Sequence, residues 1–106
     1  MKSLADSETY EDVKGDAAYY AGLAMWQASP PNPQAALGWF ERSLKIFPRE
    51  AACLEAARCA VKLEQWAKAR EFADRAAREF PKGNPAVIEE AKRLLPTVLK
   101  ELAKQK

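Results

Sequence analysis

Apolar residues recur along most of this chain at helical spacing, and proline and glycine interrupt them at three places. The breaks are Ser29-Pro30-Pro31-Asn32-Pro33, Phe47-Pro48 and Phe80-Pro81-Lys82-Gly83-Asn84-Pro85. The stretches between them predict five helices, at about 16–28, 33–47, 50–64, 66–80 and 85–104. Asn32-Pro33 and Asn84-Pro85 each read as an N-cap followed by proline in the first turn, where a missing N–H costs nothing and φ is already set. Pro48 and Pro81 close helices that end in phenylalanine. Only Glu64-Gln65-Trp66 separates the third and fourth helices. In the last helix Val87, Ile88, Ala91, Leu94, Leu95, Val98, Leu99 and Leu102 form one broad apolar stripe, with Pro96 inside it as an expected kink or division. Residues 1–12 show no period and are expected to be loose.

Composition supports the helical reading. The chain holds 21 alanines and only 4 glycines, with few β-branched residues, so the expected class is all-α. With 106 residues there is room for one core. Apolar residues at 48% and charged residues at 30% describe a folded, water-soluble chain and not a disordered one.

An internal repeat narrows the architecture. The run Ala36-Leu37-Gly38-Trp39-Phe40-Glu41-Arg42-Ser43-Leu44-Lys45-Ile46-Phe47-Pro48 aligns with Ala69-Arg70-Glu71-Phe72-Ala73-Asp74-Arg75-Ala76-Ala77-Arg78-Glu79-Phe80-Pro81 at a constant offset of 33. The helices before these runs each carry two small residues midway, Ala21-Gly22 and Ala56-Ala57, as a close helical crossing requires.

This pattern resembles the tetratricopeptide repeat family over residues 16–81. The matching positions are Gly22, Ala36, Phe40 and Pro48 in the first unit, and Ala57, Ala69 and Pro81 in the second, with Trp66 at the aromatic before the second helix. The departures are two extra residues in the first Pro-rich loop, Ala18, Met25, Cys53 and Ala60 in place of the first-helix aromatics, and Ala73 in place of an aromatic. The resemblance implies a right-handed superhelix of antiparallel helix pairs. Its parts would be an N-terminal arm (1–15), a first pair (16–48), a second pair (49–83) and a C-terminal capping helix (84–106). Two units are fewer than the three usually needed, so the cap, self-association or neighbouring units would make up the difference. Phe-Pro unit ends also occur in repeat proteins of bacterial envelope assembly.

The chemistry available is narrow. Histidine is absent, there is no Gly-rich phosphate loop, and Glu11-Asp12 and Glu89-Glu90 diverge on a helix, so no catalysis and no cofactor are expected. Cys53 and Cys59 cannot bridge each other on one helix, make no metal site without histidine, and read as small buried hydrophobes. Net charge is +2, too small to point to nucleic acid. It is unevenly spread, however. Residues 1–16 sum to −3, and Lys92, Arg93, Lys100, Lys104 and Lys106 crowd the C-terminus. Both ends read as solvated, and lipid or RNA binding by the basic tail ranks last. No signal-peptide or membrane-spanning stretch is visible, which makes the cytoplasm the default expectation.

What remains is binding of another protein. In stacked helix pairs the first helix of each pair lines the inner face. With crossings at Gly22, Ala57 and Ala91, the concave groove would be lined by Tyr19, Leu23 and Trp26, then Leu54, Arg58 and Val61, then Ile88, Lys92 and Leu95. Such a groove suits a peptide or helix with apolar anchors and an acidic residue, oriented by Arg58 and Lys92. Family members that clamp a C-terminal carboxylate use lysine and asparagine where Tyr19 and Leu23 stand, so that ligand is rejected. In the alternative, Trp26 and Tyr19 pack against the long loop and Leu54 and Ile88 against each other. A further alternative is homo-oligomerisation through the array, to which a partly exposed Trp39 beside Arg42 would contribute.

Overall fold

A computed structural model describes the backbone of residues 3–105 and the side chains of residues 14–105. It is all-helical among the described residues: α1 (Ser3–Gln27), α2 (Pro33–Ile46), α3 (Glu50–Lys62), α4 (Trp66–Arg78) and α5 (Pro85–Lys104). The helices pack in sequence, α1 on α2, α2 on α3, α3 on α4 and α4 on α5, and α5 also reaches back to α3.

The local signals act as the sequence predicts. Asn32 Oδ1 accepts the Ala35 N–H at 3.1 Å, Asn84 Oδ1 accepts the Ala86 N–H at 2.9 Å, and proline occupies the first turn behind each cap. Phe47 is extended at the end of α2, where the following proline excludes the helical conformation. The thin break after α3 is a Schellman turn. The Gln65 N–H donates to the Ala60 carbonyl at 2.8 Å and the Glu64 N–H to Val61 at 3.0 Å. Glu64 takes the left-handed φ of 59° that this turn requires, at a position where glycine would be unstrained.

One expectation is corrected and another is narrowed. The loose arm of residues 1–15 is helical from Ser3 onward, and α1 continues through it to Gln27. The segment has no proline and its one glycine is Gly15, so nothing in it stops a helix even though no apolar period marks one. Met1, Lys2 and Lys106 lie outside the described residues. At the other end, Pro96 does not divide α5, which runs unbroken from Pro85 to Lys104. Pro96 and Lys92, whose carbonyl loses its helical partner, both lie on the exposed side, where water can take over.

The core is built from small residues around two buried phenylalanines, Phe40 and Phe72. Phe40, Leu37, Cys53, Cys59 and Ala36, Ala52, Ala56, Ala57, Ala69, Ala73, Ala76 and Ala91 are buried. Ala21, expected at the first crossing, is half-buried, and Gly22 carries that crossing. A Cβ added to Gly22 would stand 2.7 Å from Cε1 and 2.9 Å from Cδ1 of Phe40, so the ring fills the space that the glycine leaves.

Polar ties join α1, α3 and α5 near the start of α3. Arg49 pairs with Asp16 of α1, and its guanidinium lies 5.6 Å from the Tyr19 ring centre and 5.4 Å from that of Phe47. Its neighbour Glu50 accepts the Asn84 N–H at 2.7 Å and so holds the start of α5. Ser43, buried on α2, donates to the Gly15 carbonyl at 2.9 Å.

Candidate protein-interaction surfaces

Two open clefts stand out among the described residues. The smaller, about 250 Å³, lies between α3 and α5 and is lined by Leu54, Arg58, Glu90, Arg93, Leu94 and Thr97. Leu54 is only 3% exposed and forms its apolar floor together with the half-buried Leu94. Arg58 spans the two helices. It pairs with Glu55 one turn earlier at 3.1 Å and with Glu90 of α5. Burial pushes the Glu55 carboxyl above its ordinary range and Glu90 adds to the rise, while Arg58 opposes it.

Of the nine groove residues expected from sequence, the cleft brings together Leu54 and Arg58. Tyr19, Leu23 and Trp26 are half-buried against the main core. The Tyr19 ring packs against Phe40, with ring centres 5.8 Å apart. Burial first, and Glu55 second, raise the Tyr19 pKa, so it stays a neutral phenol. Val61 packs on the smaller cluster of Ala60, Ala69 and Val98.

Ile88, Lys92 and Leu95 do not line the cleft, which uses Glu90, Arg93, Leu94 and Thr97 instead. At about 100° per residue the two sets fall on nearly opposite flanks of α5. The broad apolar stripe centres on the buried Ala91 and Val98, but a stripe alone does not say which of its flanks turns toward α3. Arg58 is likewise committed to two carboxylates. The cation over the apolar floor that has no ion pair among the described residues is Arg93.

Residues that sequence reasoning passed over include Arg49, Ser43 and Glu90. Ser43 aligns with Ala76 in the repeat, so it read as one more small residue. The signal for Arg49 was available, since it follows the Phe47-Pro48 stop and lies 33 residues after Asp16.

The larger cleft, about 780 Å³, lies between α2 and α4 and is lined by Gly38, Glu41, Arg42, Leu44, Lys45, Lys68, Glu71, Phe72 and Arg75. Trp39, 36% exposed, lies beside it with the Arg42 guanidinium 5.6 Å from its ring centre.

Cys53 and Cys59 are both buried and unbridged, as expected, and burial pushes their thiols up to about 11 and about 12. Among the described residues no group of three His, Cys, Asp or Glu side chains is placed to hold a metal ion. No helix among them is long and apolar enough to cross a membrane. No protein-family model matches the chain, and no curated protein or solved structure matches it.

Proposed function

We propose that this protein is a non-catalytic protein–protein interaction module, a scaffold or adaptor. In this reading it is a tetratricopeptide-like right-handed array of two helix pairs, α1–α2 and α3–α4, closed by α5. The glycine-to-phenylalanine crossing of α1 and α2 and the repeated Phe-Pro helix ends support that architecture. The observation that carries the functional reading is Arg93, without an ion pair among the described residues, at the rim of a cleft whose floor is Leu54 and Leu94. A partner segment with an apolar side chain followed by a carboxylate satisfies both features at once. Arg58, already neutralised by Glu55 and Glu90, shapes the wall of the cleft and is not its anchor.

The test compares affinity capture by the wild-type chain and by an Arg93→Glu/Thr97→Trp variant, read by quantitative mass spectrometry. Both residues are exposed, so the fold is expected to persist, which circular dichroism checks. Specific partners should fall at least about tenfold in the variant. Recovery of the same proteins in the same amounts by both chains would remove the α3–α5 cleft as the binding site.

A further inference from the structure

The α2–α4 cleft serves none of the roles above. Its floor is Leu44 and Phe72, and its walls carry four cations against two carboxylates. Internal pairing consumes part of this charge. Lys68 bonds Glu41 across the cleft at 3.1 Å, and Arg75 bonds Glu79 at 3.3 Å. Arg42 and Lys45, one turn apart on α2 and both exposed, have no ion pair among the described residues. At Gly38 an added Cβ would meet nothing within 4 Å, so that wall is open. From Gly38 to Lys45 the cleft is about 11 Å long, or two helical turns.

The chain itself carries a segment of complementary charge. Residues 3–12 contain Asp6, Glu8, Glu11 and Asp12 and no cation. This segment precedes the point at which α1 meets the end of α2. Gly15 of α1 lies against Phe47, which directly follows the end of α2. The helix from Ser3 to Lys14 is about 18 Å long. Residues 6–12 are seven positions, the length of two turns.

We propose that two copies of this chain associate by docking the acidic residues 6–12 of each into the α2–α4 cleft of the other. Carboxylates meet Arg42 and Lys45, and the apolar floor is covered. Because each copy has one segment and one cleft, reciprocal docking closes a twofold dimer. The association is steered by charge and weakens with added salt.

Sedimentation of the full chain over a range of concentrations, with two charge reversals, tests this. The first is Arg42→Glu/Lys45→Glu, and the second is Asp6→Lys/Glu8→Lys/Glu11→Lys/Asp12→Lys. Wild type should self-associate, and each variant alone should do so at least about tenfold more weakly. An equimolar mixture of the two variants should associate again, because each segment then faces a cleft of opposite charge. Gly38→Trp blocks the cleft without touching a charge and should also give monomers. A strictly monomeric wild type, association indifferent to both reversals, or a mixture that stays monomeric would each overturn the proposal. So would a monomeric wild type that binds an added acidic peptide in this cleft, which would assign the cleft to a foreign partner. None of these substitutions touches Leu54, Arg93 or Leu94, so the outcome is independent of the α3–α5 reading.

Discussion

The two helix pairs share a sequence pattern but pack their crossings in different ways. In α1–α2 a glycine receives a buried phenylalanine ring, and all the volume comes from one side. The matching positions of α3–α4 are Ala57 and Ala73, both buried, so neither helix sends a large group into the other at that point. Volume is supplied elsewhere in the second pair. Cys53, Cys59 and Leu54 of α3 and Phe72 of α4 are buried, whereas Trp39, the counterpart of Phe72, stays partly exposed. A repeat can therefore keep its outline while moving its bulk from one position to another.

Phe40→Ala gives the first pair the second pair's small residue without its compensating neighbours. It should cost the most, about 3–5 kcal/mol in urea unfolding. A loss below about 1 kcal/mol would mean that the ring is not the centre of that pair. Gly22→Ala tests the other side of the same contact. The new methyl group would stand 2.7 Å from a buried ring, and the expected loss is about 1–3 kcal/mol. The matching change in the second pair, Ala57→Gly, should cost only about 1 kcal/mol, chiefly through helix propensity. Equal effects at the two positions would erase the contrast.

The smallest effect concerns pH. The buried polar tie of the first pair is the neutral Ser43–Gly15 hydrogen bond, whereas the second pair half-buries the Glu55 carboxyl. Glu55 holds its proton more tightly folded than unfolded, because burial raises its pKa above 4.5. Its contribution to stability is therefore present below pH 4.5 and lost as pH rises through the raised value. Glu55→Gln should flatten that part of the stability–pH profile in thermal unfolding. An unchanged profile would show that Glu55 does not carry it.

Much of the fold was legible because its signals are local. Asn-Pro caps, Phe-Pro stops and the 33-residue repeat need no knowledge of distant neighbours, and they located α2 to α5 within two residues of their ends. The start of α1 is hidden because apolar period is the main helix signal, and residues 3–12 have none. The candidate site was less legible. Leu54 and Arg58 were found from the crossing at Ala57, but the flank of α5 that meets them depends on how α5 rotates against α3. Likewise, Arg58 looks like a spare cation until Glu90, 32 residues away, is brought beside it.

Arg49 and Glu50 give the protein two ends that hold by different forces. One end is tied by charge and hydrogen bonds, through Asp16–Arg49, Glu50–Asn84 and Ser43–Gly15. Toward the other end, Val61, Trp66 and Leu102 pack on Ala60, Ala69 and Val98 by apolar contact. Ionic strength acts mainly on the first, where Asp16 meets solvent. Cooling weakens the second, because apolar burial loses its driving force as temperature falls. Salt and cold should thus loosen the same small molecule from opposite ends.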